Sequence, residues 1–193
     1  MKAVMISIKP KWTEKIAKGE KTIEVRKTAP KEVPFKAYIY CTKQKPYLYK
    51  EANPPFELFL DSELYKGNGY DDRLFSGKVI GEFICDKVYP IKNRGGRFSV
   101  ADEEHVTNEI ARQSCLYYYD MVSYFGNKDG FGWHISDLKI YGSPKELSEF
   151  RKPCDRFLDC CTCRRLVHNE YMSCDNKITR PPLSWCYVED LGD

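Results

Sequence analysis

Residues 19–26 read GEKTIEVR (Gly19, Glu20, Lys21, Thr22, Ile23, Glu24, Val25, Arg26), and the reading of the whole chain turns on them. A lysine, a glutamate and an arginine stand at fixed spacing behind a glycine, interleaved with apolar Ile23 and Val25. In an extended conformation Ile23 and Val25 face one way, and Thr22, Glu24 and Arg26 the other. The preceding residues predict a helix of about two to three turns, opened by Lys9-Pro10 and stopped by Gly19. Trp12, Ile16 and Ala17 would form its buried face. Two readings of the charges are open: a solvated edge strand with a surface ion pair, or a polar constellation at the mouth of a ligand pocket.

Working outward, Val4 to Ile8, Phe35 to Thr42, Gly77 to Val88, Trp133 to Tyr141 and Ser184 to Glu189 read as strands, with Gly81 marking a bulge. Ala101 to Arg112 and Leu116 to Phe125 read as helices, with Ser99 and Ser114 as caps and Gly126 as a stop. Ser143-Pro144 reads as the start of a short turn or helix. The proline- and glycine-punctuated stretch 43–76 reads as an insertion between strands. Strands predominate, lie far apart in sequence and have helices in their connections. That pattern favours an α+β fold built on a small β-barrel with helical insertions, rather than a βαβ sheet.

The chain's 193 residues suit one domain spanning 1–193, because two ordinary domains need more chain. A hydrophobic content of 42% with 31% charged residues excludes a disordered chain. Net charge is only +3, which permits contact with nucleic acid without demanding it. No apolar run approaches the roughly 20 residues of a membrane span, and the N-terminal apolar stretch is too short for a secretory signal. The cytoplasm is the expected location.

In that reducing setting a cysteine cluster points to metal rather than disulfides. Cys154, Cys160, Cys163 and Cys174 are separated by five, two and ten residues, and Cys160 and Cys163 have the separation at which two thiolates reach one ion. These four are the candidate ligands of a structural zinc, with Cys161 and His168 in reserve. They would brace an insert over about residues 151–180, ahead of the final strand 184–189. Cys186, between Trp185 and Tyr187, reads instead as a small buried hydrophobe. Among the histidines, His134 is the one to place near a pocket, although a satisfied histidine at the barrel edge is the favoured reading, and His105 falls on a solvated helix face. There is no Ser–His–Asp or Cys–His arrangement and no glycine-rich phosphate loop.

The segment SIKPKWTEKIAKGEKTIEVRK resembles the start of an ASCH domain of the PUA-like superfamily, whose motif G-x-K-x-x-E-x-R is matched at Gly19, Lys21, Glu24 and Arg26. FKAYIYCT, GKVIGEFICDKV, GFGWHISDLKIYGSPKEL and RPPLSWCYVED also look like ASCH proteins of phages and prophages. The likeness leaves out about 30 residues after Lys43 and the cysteine insert.

The resemblance implies RNA, or a modified nucleoside or nucleotide, bound in a cleft by Lys21, Arg26, Trp12, Thr22 and Trp133. Lysine and arginine would hold phosphate, and aromatics, Tyr38 and Tyr40 included, could stack a base, with core packing the favoured alternative for each and Trp12 the pocket-side exception. It also implies a second possibility, since some small ASCH proteins are amidohydrolases of N4-acetylcytidine. Their lysine matches Lys21 and their glutamate Glu82, while Glu24 stands where they carry threonine. The catalytic candidates are therefore Lys21, Glu24 and Glu82. A carboxylate beside Lys21 would hold it as ammonium, against use as a base or nucleophile, unless Arg26 neutralises Glu24 and leaves Lys21 to Glu82 alone. A third possibility is a regulatory protein without catalysis, its protein partners unspecified.

Overall fold

The computed structural model describes residues 2–95, 97–100, 104–153 and 176–192. Strand β1 (Lys2–Ile8) leads through Pro10 into helix α1 (Pro10–Ala17). Past its end Gly19, at φ +74°, takes a left-handed turn that a side chain would resist. The chain continues as β2 (Ile23–Arg26), β3 (Phe35–Cys41), β4 (Tyr47–Lys50), β5 (Leu58–Asp61), the short helix α2 (Tyr70–Arg73), β6 (Val79–Cys85), β7 (Val88–Arg94) and β8 (Arg97–Val100). Then come α3 (Glu104–Ser114), α4 (Tyr118–Phe125), β9 (Gly130–His134), β10 (Ser136–Lys145) and β11 (Trp185–Val188).

These strands form a five-stranded sheet in the order β10-β6-β3-β1-β11, a four-stranded sheet β2-β9-β7-β8, and a β4-β5 hairpin. The two large sheets enclose a core in which Val4, Ile6, Phe35, Ile39 and Phe83 meet Trp133. The Phe35 and Trp133 rings pack edge to face, 5.0 Å apart. Along one side the chain bends from sheet to sheet between β6 and β7 and again at Ile135. His134 N–H donates to Lys87 O and Ile135 N–H to Thr22 O, both at 2.9 Å.

On the other side no ladder joins β2 to β1 or β11 among the described residues, and side chains bridge the gap instead. Arg26 Nη2 donates to Ser7 O at 2.6 Å, and Trp185 Nε1 to Thr28 Oγ1 at 2.9 Å. The expected barrel is thus an open pair of sheets. Helices α3 and α4 cover the small sheet through Ile110, Met121 and Phe125 packed on Ile23, Val25 and Ile91. Strand β2 is therefore buried on both faces.

Several local expectations change. Ser99 lies within β8 and caps no helix, and Ser114 ends α3 with its hydroxyl donating to Ala111 O at 3.0 Å. Tyr117 holds the N-cap position of α4, and Ser143-Pro144 continues β10. Residues 43–76 hold a hairpin and a turn of helix. The candidate zinc ligands Cys154, Cys160, Cys161, Cys163, His168 and Cys174 lie outside the described residues, and among the described residues no three metal-binding side chains converge. The flanks of that stretch meet, with Arg151 bridged to Lys177. Among the described residues no helix is long and apolar enough to cross a membrane.

Candidate functional site

The glycine turn after α1 delivers Lys21 beneath the end of α3. Ile23 and Val25 then point to the helices and Glu24 and Arg26 into the space between the sheets. Lys21, Glu24 and Arg26 are only 2%, 6% and 6% exposed, so the octapeptide is neither a solvated strand nor a pocket mouth. Lys21 Nζ donates to Ser114 O at 2.6 Å and Ile23 O at 2.8 Å, and lies 3.4 Å from Glu24 Oε2. Three acceptors match its three N–H donors. The other carboxylate oxygen, Glu24 Oε1, meets Arg26 Nη2 at 2.9 Å. Burial lowers the Lys21 pKa, and Glu24 partly restores it. Trp12 caps the group, its ring centre 5.4 Å from Nζ.

The remaining sequence candidates scatter. Glu82 pairs in register with Tyr38 and so lies on the opposite face of the large sheet from the inter-sheet core. There it accepts from Tyr141 Oη at 2.5 Å. The structure brings Lys21 and Glu24 together and leaves Glu82 with the tyrosines. Trp133 is wholly buried, between Phe35 and Trp185, as are Tyr38 and, nearly, Tyr40. Thr22 serves through its backbone, its N–H donating to Gln113 O at 2.9 Å. His134 pairs with Asp86 at 2.6 Å and holds that carboxyl below its usual pKa. Cys186 is half-buried against the cluster around Tyr38.

Beside the buried charges a cleft of about 700 Å³ opens between α1 and the α3–α4 pair. Trp12, Tyr117 and Tyr118 supply aromatic walls, and Lys11, Lys15 and Arg112 supply cations. Of the residues named in advance for binding, Trp12 alone lines it. Its lining comes from α1 and, about a hundred residues later, from α3 and α4, so no local pattern joins the two sides. One signal was present. Tyr117, Tyr118 and Tyr119 are consecutive, and residues that turn by about 100° each on a helix cannot all face the core.

No family model and no curated protein matches the chain. Solved structures do. The ASCH protein of Zymomonas mobilis aligns with a TM-score of 0.53 at 15% identity, covering 97% of this chain and 87% of that one. A tyrosine-to-phenylalanine variant of it aligns with the same TM-score at 16% identity, over 98% and 91% of the two chains. The fold is the ASCH fold. Identity this low speaks to the fold, and the ASCH core here carries its cleft where α3 and α4 approach α1.

Proposed function

We propose that this ASCH-fold protein binds RNA, or a nucleoside or nucleotide, in the cleft between α1 and α4. The observation that supports this reading is three aromatic walls, Trp12, Tyr117 and Tyr118, around one cavity, with the cation Lys11 beside them and Lys15 and Arg112, each paired with a glutamate, at its rim. Any base can stack on an aromatic face, and lysine or arginine donates hydrogen bonds to phosphate. Titration followed by Trp12 fluorescence tests it, with Trp133 and Trp185 as a constant background because both pack in the core region. Quenching by RNA or a nucleotide that is lost in Trp12→Ala supports the reading. No response to RNA, nucleotides or nucleosides overturns it.

Amide hydrolysis of an acylated nucleoside is the second reading, favoured by the depressed pKa of Lys21. Against it stand the three acceptors that occupy Nζ and the separate position of Glu82. Acetate release from N4-acetylcytidine, abolished in Lys21→Ala and retained in a folded control, would establish it. We further propose, on ligand spacing alone, that Cys154, Cys160, Cys163 and Cys174 hold structural zinc. Metal analysis against Cys163→Ser tests that.

A further inference from the structure

The cleft does not end at its walls. Tyr117 and Tyr118 line it, and Tyr119 stands beyond it on the next position of α4. Their exposures are 80%, 53% and 82%, large for three neighbouring aromatic residues on a folded surface. The Tyr118 and Tyr119 rings meet edge to face at 5.5 Å, which leaves broad ring surface open to solvent. A single nucleoside in the cleft would reach Trp12, Tyr117 and Tyr118 and leave Tyr119 unused.

The cations around the cleft are largely answered already. Lys15 pairs with Glu20 at 2.7 Å and Arg112 with Glu109 at 2.6 Å. Asp120, on the cleft wall, accepts from the Tyr117 N–H at 3.0 Å. Lys11 is the cleft cation with no acidic partner among the described residues, and it lies 4.7 Å over the Trp12 ring. A groove so neutralised suits few phosphates.

Resting on the binding reading above, we propose that cleft and tyrosine shelf together take single-stranded RNA, at least two successive bases stacked, with stacking rather than phosphate contact supplying most of the affinity. Bases paired in a duplex cannot splay onto the shelf, so the ligand is single-stranded.

The test uses the full chain and a labelled oligouridylate of about eight residues, within the range that single-strand sites span. Fluorescence anisotropy follows binding, with uridine monophosphate and a duplex of equal length as competitors. The expected result is roughly tenfold or greater preference for the oligonucleotide over both competitors, since each further stacked base contributes about that factor. Tyr119→Ala should weaken the oligonucleotide roughly tenfold and leave uridine monophosphate unchanged. The slope of log affinity against log salt should be about −1, as one or two neutralised phosphates give.

Equal competition by uridine monophosphate, or an unaffected Tyr119→Ala, overturns the shelf and leaves the cleft reading intact. A slope of about −4 or steeper overturns stacking dominance. No binding by any of the three probes overturns both. Tyr119 is too exposed for its truncation to unfold the protein.

Discussion

At the scale of single residues, Glu24 is the member of the motif with most to hold. One carboxylate answers two buried cations, Lys21 at 3.4 Å and Arg26 at 2.9 Å. Removing one partner from a buried ion set strands the others in a low-dielectric interior, at a cost of about 3–5 kcal/mol. Glu24→Ala is therefore expected to lower the unfolding free energy by about that amount in urea titrations. Lys18→Ala, which opens an exposed pair with Glu14, should change it little. Equal effects of the two substitutions would show that the motif is not a structural clamp. Arg26 carries a second duty, since its bond to Ser7 O ties β2 to β1 where no ladder does. The motif thus closes the open side of the two sheets, which explains its burial without any catalytic role for Lys21.

At the scale of elements, α4 is held to the small sheet by the fit of Phe125 over Gly130. A Cβ on Gly130 would sit 1.9 Å from that ring, and Phe125 is nearly fully buried. Gly130→Ala should cost about 1–3 kcal/mol and shift α4 with its tyrosines. The expected outcome is a lower urea midpoint together with weaker RNA binding. Unchanged binding would mean that α4 is not the cleft wall that matters. The elements also show what could be read in advance. Helix α1 and strands β1, β2, β3 and β11 were legible because start and stop signals and alternation lie within each segment. Strands β7 and β8 were not, because VYPIKNR has an exposed proline and ends in Lys92, Asn93 and Arg94, of which Lys92 and Arg94 are exposed, so only Ile91 marks a buried position. GKVIGEFICDKV reads as one strand, yet the chain changes sheet after Cys85, and only the partner strands specify that corner. The octapeptide's alternation was right in direction and incomplete in consequence. That its polar face is buried depends on the opposite sheet, which no local pattern contains.

At the scale of the whole molecule, both faces of the large sheet carry weak acids that the fold keeps neutral. Burial pushes the Cys41 thiol up to about 11 and the Cys85 thiol up to about 12. On the other face Tyr38 and Tyr141 are raised by burial, reinforced by their hydrogen bonds to Asp190 and Glu82. For each group the folded pKa exceeds the unfolded one. The stability it contributes is complete below the unfolded value and is lost as pH climbs toward the folded value. For the thiols that window runs from the ordinary value of 9.0 to about 12, and for the tyrosines it opens at 10.0. These four groups therefore leave the unfolding free energy level near neutrality and make it fall above about pH 9, by at most about 1.4 kcal/mol per pH unit for each group fully titrating in the unfolded chain, while Lys21, lowered by burial, works in the opposite sense below its ordinary 10.5. Urea midpoints across the alkaline range measure the fall. Tyr38→Phe with Tyr141→Phe removes two of the titrations and should make the limb shallower above pH 10, whatever the variant's stability at neutral pH. An alkaline limb of unchanged steepness in that double variant would show that both phenols ionise as readily in the folded sheet as in the open chain.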